Sequence, residues 1–199
     1  MRLLHMSVLR VIDEGIPPLM LAEASELSHF NFFQRGTIRE MMTFFAKNIV
    51  ERTPPGQRQT VQHEEYNVHV YVRSDGLAGA ITADMEYPPR VAFVLLTDLL
   101  EQFTATVAGW QAAEGPEEVS FPQLQEAIIR FQDPAEADSI VKIQKQIDET
   151  KDVLHNTIDN LLARGEKLDR LVERSDELSM QSKMFYRQAR KTNSCCVIA

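Results

Sequence analysis

Cys195 and Cys196 are the only two cysteines in a chain of 199 residues. Neighbouring cysteines cannot staple a fold, and without a second pair they cannot form a two-pair zinc site. Their remaining chemistry is covalent attachment. Cys196-Val197-Ile198-Ala199 reads as a C-a-a-X box, and Ala in the last place favours a farnesyl thioether on Cys196. Processing of such a box removes the three residues after Cys196 and leaves Cys195 as the natural site for a second lipid. One lipid chain attaches a protein marginally and reversibly, whereas two hold it firmly. Lys183, Arg187, Arg190 and Lys191 precede the box, and no Asp or Glu follows Glu177. Each such cation near an anionic leaflet adds about 1 kcal/mol of attraction. The same cations also suit the negative end of a helix dipole.

The second residue with unusual chemistry is Arg164. Starting at Ile140 and stepping alternately by three and four meets Ile143, Ile147, Thr150, Leu154, Thr157, Leu161, Arg164, Leu168, Leu171, Ser175, Leu178, Ser182, Phe185, Ala189 and Thr192. Every position is apolar or small except Arg164. A strict 3-4 alternation of this length is the seam of a coiled coil and not the wider stripe of a globular helix. A guanidinium in that seam loses hydration, at a cost on the order of several kcal/mol if nothing answers it. Either Arg164 snorkels out of a two-stranded seam, or partner helices supply acceptors such as Gln at the same layer and the polar layer sets the register. Gly165 beside it costs about 1 kcal/mol against Ala in a helix and would loosen the helix there when it is unpaired. Ser175 and Ser182 are small packing residues or a switch, since a phosphate would place about two negative charges in the seam.

These groups need elements to carry them, and the chain divides into two regimes near residue 133. The first is punctuated by Gly and Pro. Leu3 to Val11 and Leu19 to Ala24 predict two strands, and Tyr66 to Val72 alternates as a half-buried strand. Ser74-Asp75-Gly76 signals a hairpin into a strand from Leu77 to Ala83. Ile38, Met42, Phe45 and Ile49 mark one helix face, with Met41 beside them. Pro88-Pro89 opens a second helix, with Val91, Val94, Leu95, Leu99, Phe103 and Val107 inward. Phe121, Leu124, Ile128 and Phe131 mark a short third one. This predicts an α+β domain with one mainly antiparallel sheet flanked by helices. The second regime, from about residue 135 to 192, predicts one helix roughly 80 Å long, more than such a domain covers on one face. Phe44 lies off the predicted inward face of the first helix; it is either a wall of an exposed apolar groove or buried by the tertiary fold.

Leu161-Leu162-Ala163-Arg164-Gly165-Glu166-Lys167-Leu168 resembles the zero-layer segment of the R-SNAREs, with seven seam positions before Arg164 and eight after it. Phe32-Phe33-Gln34-Arg35, Val70-Tyr71-Val72-Arg73 and Tyr87-Pro88-Pro89-Arg90-Val91-Ala92-Phe93 resemble a longin domain, which is profilin-like. Asn193-Ser194-Cys195-Cys196 narrows the resemblance to the prenylated, Ykt-type branch of the synaptobrevin-like family. Ala199 stands where that branch leads one to expect Met. The resemblance implies a longin regulatory domain over 1–133, a linker over 134–139, an R-SNARE motif over 140–192 and a lipidated tail over 193–199. It implies that Arg164 meets Gln residues of three Q-SNARE helices in a parallel four-helix bundle that drives vesicle docking and fusion. It implies farnesyl on Cys196 and palmitoyl on Cys195, and a closed form in which the seam folds back onto the longin domain near Phe44. The expected locations are the cytosol when closed and the cytoplasmic face of Golgi, ER, endosomal, vacuolar or autophagosomal membranes when lipidated.

Other classes find little support. A formal net charge of −8 argues against a nucleic-acid partner. The longest apolar run, Val91 to Leu96, is far below the roughly 20 residues of a membrane span, and the first residues lack a signal-peptide plan. No phosphate-cradling Gly-rich loop or nucleophile elbow is present. His5, His29, His63, His69 and His155 are scattered, with His63 and His69 expected to meet solvent or a neighbouring chain. An acyl-transfer activity attributed to the longin R-SNARE branch has no Cys in the first regime to carry it. No metal or dissociable cofactor is expected. The competing non-enzymatic reading is a lipid-anchored coiled-coil tether, which explains the seam and the tail but not a single Arg at the seam's centre.

Overall fold

A computed structural model describes residues 1–13, 15–133, 135–136, 153–162 and 165–194, side chains of 192–194 excepted. Strands β1 (Leu3–Arg10) and β2 (Leu19–Ser25) pair antiparallel, as the two apolar runs predict. Helix α1 (Arg35–Glu51) follows, then β3 (Arg58–His63), β4 (Tyr66–Val72) and β5 (Leu77–Asp84). Among the described residues the sheet has six strands in the order β2-β1-β5-β4-β3-β6. The β4–β5 hairpin turns at Gly76, whose φ of +86° suits a residue without Cβ. Helices α2 (Pro89–Thr106) and α3 (Gln123–Arg130) complete the first 130 residues. Gln132 clasps the backbone of Leu3, accepting from its N–H at 3.2 Å and donating to its carbonyl at 2.7 Å.

The sheet is covered on both faces. Leu77, Ile81 and Ala83 of β5 enter one apolar cluster with Ala92, Phe93, Leu95, Leu96 and Phe103 of α2 and Leu124 and Ile128 of α3. Ala78 and Ala80, pointing the other way, enter a second cluster with Phe44, Ala46, Ile49 and Val50 of α1. A period of two sends alternate residues to opposite layers, so a strand covered on both sides is apolar throughout. Gly79 permits the close seating of α2. A Cβ there would lie 2.8 Å from Cδ2 of Leu96.

Three sequence expectations are corrected. β3, between the end of α1 and the next strand, was not foreseen, because Arg58-Gln59-Thr60-Val61-Gln62-His63 carries one aliphatic residue and pairs with β4 through its backbone. β4 is buried on both faces and not half-buried. Val68, Val70 and Val72 face α1, while Asn67 and His69 are buried on the other side. His69 therefore does not meet solvent. It packs edge-on to Phe93 with ring centroids 5.4 Å apart, and its Nδ1 lies 2.9 Å from Oγ1 of Thr60. Burial, assisted by nearby His155, pulls its pKa down to about 4, so the ring is neutral near pH 7. His63 is half-buried against the ring of Phe45, 4.8 Å away.

The third correction concerns the C-terminal regime, which is not one continuous helix. The described part runs as β6 (Val153–Thr157), α4 (Ile158–Leu161), α5 (Leu168–Arg174) and α6 (Met180–Ser194). Strand β6 pairs parallel to β3, with Arg58 opposite Val153 and Gln62 opposite Thr157. Gly165, at φ +90°, lies between α4 and α5, far from the helical value near −63°. Leu162 and Ser175 are also extended, at ψ 146° and 124°. Isolated helices shorter than about 12 residues are marginal in water, so α4 and α5 owe their order to what they pack on.

Candidate functional site

The site is the face of the sheet domain on which the C-terminal segment lies. It is built on α1 and the β3–β4 hairpin. β3 is an edge strand of the sheet that the first 130 residues form, and its outer N–H and C=O groups would otherwise face water. β6 takes that edge by strand addition, the way extended peptides join sheets. Asn156 reinforces it by donating from Nδ2 to Oε1 of Gln59 at 3.2 Å. Gln59 is itself anchored to the buried hydroxyl of Thr53.

Beyond β6 the segment seals the α1 face. Ile158, Leu162, Leu168, Val172 and Leu178 are buried in the same cluster as Phe44, Ile49, Val61 and Val70. Phe44 is 5% exposed, so the fold buries it, and the cluster that does so includes side chains of the C-terminal segment. This also explains why α1 buries more than the one predicted face. The sheet lies against one side, and the returning chain packs against another. Polar contacts line the same junction. Lys47 Nζ donates to Glu177 Oε1 at 2.5 Å, and Arg52 reaches Glu166 at 3.4 Å. Ser182 is fully buried and donates from Oγ to Glu40 Oε2 at 2.6 Å. The N–H of Ser179 donates to the same carboxylate oxygen at 3.1 Å. Burial alone would raise the Glu40 pKa, but the hydrogen bonds from Ser182 and Ser179 outweigh it and hold the carboxyl below its usual range.

The seam residues are dispersed by this arrangement. Leu168, Leu178 and Ser182 are buried; Leu161, Leu171, Ser175, Phe185 and Ala189 are half-buried; Leu154 and Thr157 are exposed. Ser175 accepts from the N–H of Glu177 at 3.3 Å. The seam periodicity does not point to Ile158, Leu162 and Val172, each one residue past a seam position, yet all three are buried here. The docked segment thus buries a mixed set of positions, Leu168 and Leu178 from the seam and Ile158, Leu162 and Val172 from beside it. Ile140, Ile143, Ile147, Thr150, Arg164, Cys195 and Cys196 lie outside the described residues, as do the linker beyond 136 and the side chain of Thr192.

Between α1, the β3–β4 hairpin and α6 is a cavity of about 240 Å³. Ile38, Met41, Met42, Phe45, Val68 and Phe185 make its lining mainly apolar, and Tyr186 and Arg190 stand among its walls. Among the described residues no helix is long and apolar enough to cross a membrane, and no group of three or more His, Cys, Asp or Glu is arranged to hold a metal ion.

Residues 27–128 match the family model of the longin, or regulated-SNARE-like, domain, and residues 139–198 match that of synaptobrevin. The synaptobrevin homolog ykt6 of Schizosaccharomyces pombe is 51% identical over 199 residues, covering all of both chains. The VAMP-like protein YKT61 of Arabidopsis thaliana is 49% identical over the whole of both chains. The synaptobrevin homolog YKT6 of Saccharomyces cerevisiae is 44% identical over 201 residues, again over the full length of each. These relatives bear the names of SNAREs and not of enzymes. With two family models in series over a sheet domain and a seam-bearing segment, the chain belongs to the longin-domain synaptobrevin homologues of the YKT6 type, SNARE proteins of vesicle transport.

Proposed function

We propose that the chain is an R-SNARE whose longin domain restrains its own SNARE motif. The observation that carries this reading is the incompatibility of two conformations. Zippering of Ile140 to Thr192 with three Q-SNARE helices requires one straight helix, whereas the docked segment contains a β-strand and a left-handed Gly165. Ile158, Leu162, Leu168, Val172 and Leu178 cannot lie on α1 while their helix is wound into a bundle. Docking therefore subtracts directly from the population able to assemble, and the longin domain acts as a competitor of the Q-SNAREs.

In the assembled state Arg164 would meet Gln side chains from the three partner helices and set their register. Apolar burial along the layers would draw together a lipid-anchored membrane and the one facing it. Farnesyl on Cys196 and a second lipid, palmitoyl, on Cys195 would supply the anchor. The apolar cavity beside α6 supports housing of the prenyl chain when the protein is off membranes, since α6 leads directly to the two cysteines. A phosphate on Ser182 would face the Glu40 carboxylate and oppose docking. The same charge in the seam would oppose zippering. Ser175, half-buried, is the weaker candidate for such a switch.

Mixing the purified chain with Q-SNARE helices tests the reading. A fusion SNARE forms a heat-resistant complex of one chain with three partner helices, and Arg164→Asp weakens it. Self-association without a mixed complex would instead identify a lipid-anchored tether.

A further inference from the structure

The docked segment contains a small helical hairpin whose contacts exist in no straight helix. Tyr186 donates from its hydroxyl to Asp169 Oδ1 at 3.1 Å, across 17 residues of sequence. Arg187 pairs with Glu173 at 2.9 Å across 14 residues, and Arg190 pairs with Asp169. Lys183 donates to the main-chain carbonyl of Glu173 at 3.1 Å. At about 1.5 Å per residue, the first two pairs would stand roughly 25 and 21 Å apart in one helix. Lys183, Arg187 and Arg190 follow one another at i, i+4 and i+7 and so form a single stripe on α6. Asp169 and Glu173, at i and i+4, form the facing stripe on α5.

Resting on the docked reading above, we propose that the Lys183–Arg187–Arg190 stripe is a binding surface for an anionic lipid leaflet, and that Asp169 and Glu173 occupy it in the docked form. Three observations favour a membrane as the occupant. The stripe lies on the helix that leads into the two lipidation cysteines, so a bilayer is its nearest surface once they are modified. The exposed edge of the same helix carries Met180 and Met184, apolar side chains suited to the headgroup boundary. The occupying pairs are also weak. The side chains of Arg187, Glu173, Arg190 and Asp169 are 45–57% exposed, and exposed ion pairs contribute little and are screened by salt. A leaflet dense in phosphates can displace two such carboxylates. Lipid contact by α6 would then separate α5 from α6 and favour release of the segment.

The test uses the full chain carrying Cys195→Ser and Cys196→Ser, so that no covalent lipid contributes. Sedimentation with vesicles of phosphatidylcholine, with and without phosphatidylserine, measures binding. Paired labels on α5 and α6 measure the hairpin distance. Asp169→Asn with Glu173→Gln should raise affinity for the anionic vesicles on the order of tenfold. It should leave the neutral vesicles unchanged and lengthen the hairpin distance, and Arg187→Gln with Arg190→Gln should remove the gain. Glu101→Gln with Glu126→Gln, the same charge change on exposed residues of α2 and α3, should leave binding near the wild-type level. An equal gain in that control, or no gain in the α5 variant, overturns the proposal while leaving docking intact. A wild-type distance that already places α5 and α6 apart would instead overturn the docked reading beneath it.

Discussion

The two faces of the sheet are closed by different means. On the α2 side the cover comes from α2 and α3, both within the first 130 residues, and it includes Phe93 and Phe103, neither accessible to solvent. On the α1 side the cover is one helix plus a segment that arrives from more than 100 residues downstream and whose own periodicity suits a different partner. The first face belongs to the domain. The second is shared, and the shared part consists of an edge strand, two helices of four and seven residues and a final helix of fifteen. Short elements held by tertiary contact are those from which locally opening units are drawn. One face is thus closed from within the domain and the other by a distant segment whose apolar positions also suit a coiled-coil seam.

The largest effect separates the faces outright. Phe93→Ala on the α2 side should cost about 3–5 kcal/mol and lower the midpoint of global unfolding in denaturant, with all parts of the chain unfolding together. Phe44→Glu on the α1 side should behave differently. A carboxylate is costly among Leu178 and its neighbours, but removal of the cover relieves the cost. The sheet should stay folded while amide exchange rises in β6 and α6, and membrane association should increase; an unchanged cytosolic fraction would count against the proposed restraint. Gly165→Ala comes next. A left-handed φ costs a residue with Cβ about 1–2 kcal/mol, and Ala favours the straight helix by about 1 kcal/mol. Apart from its chain neighbours, no described atom lies within 4 Å of the added methyl, so both terms act through the backbone. Together they should shift the docked population by roughly tenfold or more, measured as faster assembly with Q-SNARE helices.

Smaller effects are expected at the α1 junction. Ser182→Ala removes one hydrogen bond to Glu40 and should weaken docking by about 1 kcal/mol without altering unfolding of the α2 side. Segment-resolved exchange would show this. The smallest effect is one of pH. Docking holds the Glu40 carboxyl below the ordinary glutamate value of 4.5, so its contribution is fully present above that value. It is lost as pH falls through the lower docked value. The segment should therefore loosen below about pH 4.5, and Glu40→Gln should flatten that part of the profile.

Much of the permanent core was legible. The paired apolar runs at β1 and β2, the Asp-Gly hairpin and the Pro-opened α2 are local signals. They identify elements because neighbours in sequence supply the hydrogen bonds. β3 was missed because its side chains alternate weakly and its order comes from pairing with β4. His69 was misplaced because alternation in β4 suggested one wet face, and only the packing of Phe93 over that face buries it. Phe44 stood out by spacing alone; that the C-terminal segment covers it followed only from the family resemblance, because the contact joins residues more than 100 positions apart.

Residue order by itself determined the seam, the position of Arg164 at its centre, the basic stripe and the pair of cysteines beyond it. Those are properties of type and spacing, and they persist in any conformation. Tertiary structure alone decided that residues 153–162 and 165–194 form a strand on the β3 edge and three helices instead of one rod. The vacant edge of β3 and the apolar surface around Phe44 are created only when distant segments meet, and a backbone that can pair with them gains partners unavailable to it alone.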